Sequence, residues 1–282
     1  MIHIYCDGGL GNRLLSAFSA LHLAKKANKP FVIHWPCNNW CGCNFTDLFS
    51  NNYNGSNFDI KFIDQYFLDG CALLIHEVQI QHKSSNKVIL NRQMSQEDMV
   101  KLMVNEDDVF YYSNCLHRSL NPEEVIKTIN ELRLSDVVIN KIYGYDVSDC
   151  CGVHIRKTDF GKAPHMNDNE IENEVKSHPD KRYFLCSDEK ETEMKFKKYS
   201  NVISFVKSHY VEKLNPNNEW KSGIIDDVGR SFPFNVNRNK NSSIEAFCDM
   251  ILLAQTAERL KTTRSSFSGC ANLISKTKLI RL

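Results

Sequence analysis

A cluster of chemically active side chains follows an apolar run near the middle of the chain, where residues 153–159 read V-H-I-R-K-T-D. If residues 151–155 form a strand, alternation places His154 and Arg156 on one face of the sheet. Ligands of open α/β sheets bind at the carboxyl ends of the strands, which is where this cluster would lie. The planar guanidinium of Arg156 suits a phosphate group, and Asp159 could hold that guanidinium in place. These residue types predict a phosphate site, with a purely structural salt bridge as the alternative.

Two further segments predict anion sites at the starts of helices. Residues 8–13, G-G-L-G-N-R, join an apolar strand to a helical pattern, where free backbone N–H groups and the helix dipole attract an anion. Because that end of a helix is already positive, Arg13 gains little there unless an anion binds. Residues 262–269, T-T-R-S-S-F-S-G, place several hydroxyls at the start of the last predicted helix, whereas an N-cap needs only one. A tight glycine turn and an N-cap are the structural alternatives.

Carboxylates occupy three more positions of interest. Residues 183–186 read as a strand that delivers Asp188 and Glu189 to its carboxyl end, although these acids could instead cap the next helix. Asp249 lies within the otherwise apolar stretch 244–253. A carboxylate can accept hydrogen bonds from both N1–H and the exocyclic amine of guanine. Asp249 is therefore a candidate for guanine recognition, with a solvent-facing or capping role as the alternative.

The elements that must position these residues alternate between strand and helix. Strands are predicted at residues 2–6, 31–35, 58–63, 73–78, 87–90, 108–112, 151–155, 183–186, 202–206 and 259–263. Helical patterns begin near residues 14 and 121 and cover residues 96–104, 191–199, 243–257 and 266–275. Residues 213–242 read as a long irregular loop. The alternation predicts an α/β protein, and its 282 residues favour two domains, 1–145 and 146–282.

Composition narrows the classes of function. Lys plus Arg (35) nearly balances Asp plus Glu (34), so we expect no nucleic-acid partner. The sequence has no apolar run of 18 residues and no signal-peptide pattern at its start, so we expect a soluble, cytoplasmic protein without a transmembrane segment. Eleven scattered cysteines favour a reducing compartment. Cys37, Cys41 and Cys43 lack the second pair that a structural zinc site requires, so we expect no metal.

Five stretches, in this order, resemble the superfamily of the α1,6-, α1,2- and protein O-fucosyltransferases, which includes the bacterial nodulation fucosyltransferases. They read G-G-L-G-N-R-L, V-H-I-R-K-T-D, Y-F-L-C-S-D-E, I-E-A-F-C-D-M-I-L-L-A-Q and S-S-F-S-G-C-A, and they span almost the whole chain. The resemblance implies two Rossmann-like domains facing a cleft, the glycosyltransferase B arrangement. It also implies that GDP binds mainly to the C-terminal half.

The resemblance assigns roles to the residues singled out above. It implies that Arg156 binds the donor phosphates, that His154 and Asp249 surround the guanosine, and that Asp188 and Glu189 match an acidic pair of the α1,6 enzymes. The full donor-binding set that it implies, besides the arginine, is Gly11, Asn12, Arg13, His154, Asp188, Glu189, Asp249, Ser265, Ser266 and Ser268.

The family pattern further implies an inverting displacement that needs neither a metal nor a cofactor. A hydroxyl of the glycan acceptor attacks the anomeric carbon of the sugar as GDP leaves, and the arginine stabilises the charge on the leaving phosphate. The glutamate that serves as base in the α1,6 enzymes falls here at Pro164. We take His165 and Asp159 as catalytic candidates with the arginine, while Asp168, Glu170 or the leaving phosphate could also accept the proton.

Other functions fit parts of the same pattern. The donor could be another nucleotide sugar on the same fold, or the protein could bind carbohydrate or nucleotide without catalysis. A nicotinamide-dependent oxidoreductase is disfavoured because the fingerprint G-x-G-x-x-G is missing. GDP-fucose as donor and a glycan as acceptor remain the first expectation.

Overall fold

The computed structural model describes residues 2–50, 61–63, 87–90, 94–107, 109–113, 115–159, 166–227, 229 and 231–280. Its first half contains a wholly parallel sheet of five strands in the order β3-β2-β1-β5-β4. These strands are β1 (Ile2–Cys6), β2 (Phe31–His34), β3 (Lys61–Ile63), β4 (Lys87–Leu90) and β5 (Val109–Ser113).

In the described part of this half, five helices accompany the first sheet: α1 (Leu10–Ala27), α2 (Phe45–Leu48), α3 (Gln96–Asn105), α4 (Pro122–Ile129) and α5 (Asp136–Ile142). The longest, α1, ends at Asn28, which takes the left-handed conformation with φ of 51°. Asparagine tolerates that conformation, and Pro30 could not have continued the helix. Helix α4 begins as its sequence indicates, with Asn121 as N-cap and Pro122 at its first position.

The second half contains a parallel sheet of four strands in the order β11-β6-β7-β8, and a separate antiparallel pair, β9 with β10. The strands are β6 (Cys151–Ile155), β7 (Tyr183–Ser187), β8 (Val202–Ile203), β9 (Ile224–Ile225), β10 (Ser231–Phe232) and β11 (Glu258–Arg259). The helices are α6 (Asp168–Ser177), α7 (Lys190–Phe196), α8 (Lys240–Gln255), α9 (Ser266–Ile274) and a final 3-10 turn, Lys278–Ile280.

Most predicted elements are confirmed, and the differences have simple causes. The strand predicted at 202–206 is shorter, Val202–Ile203, and the one predicted at 259–263 overlaps the observed strand Glu258–Arg259 only at Arg259; both are edge strands of the second sheet. Helix α6 was missed because its sequence is mostly polar; an Asn167 capping box starts it. The strand predicted at 73–78 lies outside the described residues.

A continuous apolar core crosses the expected domain boundary. It joins residues of the first sheet and α1 to residues of α8 and α9, while a smaller core lies under the second sheet against α6 and α7. Helix α9 contacts α1 directly. The two sheets therefore support the α/β class, whereas the division at residue 145 stays a prediction. Among the described residues, no helix combines the length and apolar character that crossing a membrane would require.

Gly11 marks a close approach between the two halves. A Cβ atom at this position would lie 2.6 Å from the backbone N of Phe267 and 2.6 Å from the carbonyl carbon of Ser266. No side chain fits at that distance, so glycine allows the start of α1 to pack directly against the start of α9.

We expect Gly11→Ala to lower the free energy of unfolding by about 1–3 kcal/mol, because the added methyl group must displace backbone atoms. The matched control is Gly269→Ala on α9, where a Cβ would meet nothing within 4 Å. That exchange should be neutral or stabilising by up to about 1 kcal/mol, since alanine favours a helix more than glycine does. Urea unfolding of the three proteins measures both effects, and equal stability of Gly11→Ala and the wild type would contradict the packing argument.

Candidate functional site

Two of the predicted motifs follow the strands at which each sheet reverses its order. In the first sheet, β2 and β3 lie on one side of β1, and β5 and β4 lie on the other. In the second sheet, β7 and β8 lie on one side of β6, and β11 lies on the other. The crevice at the carboxyl end of such a switch point is the usual ligand site of open α/β sheets. The glycine-rich residues 8–13 follow β1 directly, and Arg156 follows β6.

Arg156 is fixed by Asp159, three residues farther along the chain. Its Nη2 donates a hydrogen bond of 2.8 Å to Asp159 Oδ1. The same oxygen accepts a second 2.8 Å hydrogen bond from Nη2 of Arg238, a residue that was not predicted. Burial alone would raise the pKa of Asp159, but the charges of Arg238 and Arg156 hold it well below its ordinary value. Asp159 is thus ionised and bound to both arginines. This suits a residue that positions the guanidinium groups, and it makes Asp159 a weak proton acceptor.

Asp188, at the end of β7, holds the loop that carries the arginine. Its Oδ1 accepts a hydrogen bond of 2.8 Å from the backbone N–H of Lys157, and its Oδ2 accepts one of 2.6 Å from the Thr158 hydroxyl. Oδ2 also lies 3.9 Å from Nε of Arg156. Asp188 therefore belongs to the cluster, where it orders the end of β6.

His154 connects β6 to the last helix. Its Nδ1 lies 2.7 Å from the Ser268 hydroxyl, and its ring stacks on Phe267 with centroids 4.6 Å apart. Its backbone carbonyl accepts a hydrogen bond from the Thr262 hydroxyl. Burial lowers the pKa of His154 to about 3, so the imidazole is neutral near pH 7. A neutral ring that stacks and forms hydrogen bonds can contact a base or a ribose without adding charge.

The predicted serines surround the beginning of α9. Ser265 is the N-cap, and its hydroxyl accepts a 3.2 Å hydrogen bond from the backbone N–H of Ser268. Ser266 is the first helical residue and contacts the Gly11 position of α1. Two helix N-termini thus converge near His154, so their dipoles create a positive potential there.

Arg13 does not face an open site. It is completely buried, and its guanidinium donates to the carbonyls of Gly8 and Pro36 and to Asn38 Oδ1, the last at 2.8 Å. Its expected contact with a donor therefore lacks support, and its position is explained by the loop that it holds. Asn12 lies beside Gly8, where a Cβ would meet its amide nitrogen at 3.0 Å.

Two predicted acids are also engaged in structural contacts. Glu189 is the N-cap residue of α7 and accepts a hydrogen bond from the Thr192 hydroxyl. Asp249 is buried on α8, with Oδ2 only 2.5 Å from Nζ of Lys207, while no described residue bonds its Oδ1. Burial raises the pKa of Asp249 to about 7 against the charge of Lys207, which lowers it. The Lys207 partner was not predicted, because a lone lysine in a loop gives no signal of burial.

Asp168 and Glu170, the two other acidic residues considered as the base, already have partners within the protein. Asp168 lies 2.7 Å from Nζ of Lys157. Glu170 Oε2 accepts a 2.6 Å hydrogen bond from the backbone of Asn167 in the capping box. His165 and Pro164 lie outside the described residues, so the proposed role of His165 stays a prediction. The described part of the chain contains no group of three or more histidine, cysteine or acidic residues arranged to hold a metal.

Comparison with known proteins reveals agreement in fold without agreement in sequence. No family model and no curated protein sequence matches the chain. The fucosyltransferase NodZ from Bradyrhizobium superposes with a TM-score of 0.55 at 15% identity, over 96% of this chain and 92% of the other. The chain has the fold of a fucosyltransferase.

Two other fucosyltransferases agree with this result. An Arabidopsis thaliana FUT1 variant in complex with GDP gives a TM-score of 0.55 at 13% identity, over 98% of this chain and 68% of the other. POFUT1 in complex with GDP-fucose gives 0.50 at 11% identity, over 98% and 94%. The α/β class and the likeness to the fucosyltransferases are therefore confirmed at the level of the fold. In that fold, the cluster around Arg156 lies at the carboxyl edge of the second sheet.

We expect His154 to make the protein less stable as the pH falls from 7 to 5. Its folded pKa of about 3 lies below the ordinary 6.5, so between these values the unfolded chain binds a proton that the folded chain does not. Stability is therefore lost on acidification, by about 2 kcal/mol from this residue. Urea unfolding at several pH values should show a shallower pH dependence for His154→Asn than for the wild type. The surface variant His178→Asn is the control, and equal slopes for His154→Asn and wild type would refute the assignment.

Proposed function

We propose that the protein is a glycosyltransferase that transfers a sugar, most simply L-fucose from GDP-fucose, to a hydroxyl of a glycan. The observation that carries this proposal is the position of Arg156 at the switch point of the second sheet, directly after strand β6, whose His154 contacts Ser268 at the start of α9. A guanidinium and a helix N-terminus are the two devices that proteins commonly use to bind phosphate. The solved structures with this fold include complexes with GDP and GDP-fucose, which supports the choice of donor.

The reaction would be an inverting displacement without metal. The acceptor hydroxyl attacks the anomeric carbon, the bond between that carbon and the phosphate oxygen breaks, and GDP leaves with the electron pair. Arg156 and the N–H groups at the start of α9 would stabilise the negative charge that develops on the leaving phosphate. Asp159 keeps the guanidinium oriented. The acceptor proton passes either to the leaving phosphate or to a base such as His165.

Turnover should depend strongly on Arg156. With GDP-fucose and a panel of glycan acceptors, the wild type should release GDP, and Arg156→Gln should lower kcat/KM by about 10²–10³, as expected for loss of one donor to a developing anion. Arg182→Gln is a matched control, because Arg182 pairs with Asp149 at the surface. The wild type should also release GDP in the presence of a metal chelator, because the proposed reaction uses no metal. Full activity of Arg156→Gln would overturn the role assigned to this residue.

The choice of nucleotide should depend on Asp249. Guanine offers the N1–H and amine pair that a carboxylate can accept, whereas uracil does not. Asp249→Asn keeps an oxygen for Lys207 and should lose most of the preference for GDP over UDP, while the surface variant Asp149→Asn should keep it. Competition binding with the two nucleotides measures this preference. A wild type that binds GDP and UDP equally would contradict the guanine assignment.

A second function, nucleotide binding without catalysis, is favoured by one observation. Asp159, Asp168 and Glu170 are all engaged by protein partners. Tight GDP binding without release from any GDP-sugar, across many acceptors, would select this alternative over transfer.

A further inference from the structure

Arg238 shares its carboxylate partner with Arg156. It immediately precedes the N-cap of α8, within the segment that the sequence predicts as a long loop. Each of the two guanidinium groups places its Nη2 atom 2.8 Å from Asp159 Oδ1. The two nitrogen atoms are therefore within about 6 Å of each other, since both contact one oxygen.

The two like charges share the carboxylate of Asp159 in a largely buried position. Their side chains are only 20% and 12% exposed, and Asp159 is 4% exposed. Asp188 approaches Nε of Arg156 at 3.9 Å, whereas the described residues supply no second carboxylate within ion-pairing distance of Arg238. Two partly desolvated guanidinium groups on one shared oxygen would be stabilised by an additional anion.

One edge of Arg238 lacks an acceptor. Its Nη1 is buried, and no described residue accepts a hydrogen bond from it. A buried charged N–H group without an acceptor is unfavourable, and the planar fork of arginine matches the oxygens of a phosphate. A diphosphate has enough oxygens to contact both arginines at once.

The N-terminal half fixes the backbone of Arg238. Its N–H donates a 3.0 Å hydrogen bond to the carbonyl of Asn39. A Cβ atom at Gly42 would lie 2.5 Å from the carbonyl oxygen of Arg238, so only glycine allows this approach. Arg13 holds the same loop through Pro36 and Asn38. Arg13 and the backbone of Arg238 therefore contact the same loop, residues 36–44.

We propose that Arg238 is a second phosphate-binding arginine, which grips the diphosphate of a nucleoside diphosphate together with Arg156. This inference rests on the proposed function. Asp159 holds both guanidinium groups, and the loop of residues 36–44 holds the backbone from which one of them extends.

The test compares ligands that differ only in phosphate. Calorimetric titration of wild type, Arg238→Gln and the surface control Arg182→Gln with GDP, GMP and guanosine separates phosphate contacts from general disturbance. We expect Arg238→Gln to bind GDP at least tenfold more weakly and guanosine within twofold of the wild type, with the control unchanged. Unaltered GDP affinity, or an equal loss for guanosine, would overturn the proposal.

A double variant distinguishes direct contact from an effect through Arg156. If Arg238 touches phosphate, Arg156→Gln combined with Arg238→Gln should bind GDP more weakly than Arg156→Gln alone. No further loss would mean that Arg238 acts only by positioning Arg156, and the proposal would be wrong. If Arg238→Gln does not fold, Arg238→Lys tests the phosphate contact instead, because lysine keeps the positive charge and lacks the planar guanidinium group. Weaker GDP binding with normal guanosine binding supports the contact, and unchanged GDP binding rejects it.

Nucleotide binding by the wild type separates failure of this inference from failure of the proposed function on which it rests. Failure of the folded wild type to bind any of GDP, GMP or guanosine would overturn both. Binding of GDP that weakens in Arg156→Gln but not in Arg238→Gln would leave the proposed function standing and remove only the role of Arg238.

Discussion

The buried carboxylate of Asp159 organises the candidate site, because it binds two arginines from distant parts of the chain. Arg156 follows the switch strand of the second sheet, and Arg238 precedes α8. Without that carboxylate, two guanidinium groups would lie close together with little solvent to screen them. The low pKa of Asp159 has the same cause, which explains why this residue orients other groups and is poorly suited to accept a proton.

Close backbone contacts bring the two halves of the chain to this site. Gly11 allows the start of α1 to touch the start of α9, and Gly42 allows the loop of residues 36–44 to touch Arg238. At either position a Cβ atom would overlap backbone atoms of the other half unless they moved. The apolar core continues beneath them, from the first sheet to α8 and α9. The residues of the candidate site therefore rest on contacts between both halves, even though most of them belong to the second.

Local patterns predicted much of the fold and part of the site. The strand Cys151–Ile155 was predicted with its observed bounds because it is short, apolar and followed at once by polar residues. The grouping of His154, Arg156, Asp159 and Asp188 followed from the rule that strands of one parallel sheet end at the same edge. Arg13 and Asp249 were harder to interpret, since their partners Pro36 and Lys207 are distant in sequence. Arg238 was missed for the same reason, because nothing in a loop rich in asparagine indicates which carboxylate an arginine will meet.

The most direct test of the account is a crystal structure of the protein with GDP bound. The account predicts that the diphosphate lies within hydrogen-bonding distance of Arg156 and of the backbone N–H groups at the start of α9, with Asp159 still contacting the guanidinium. A GDP molecule bound elsewhere on the chain, with Arg156 making only protein contacts, would contradict it.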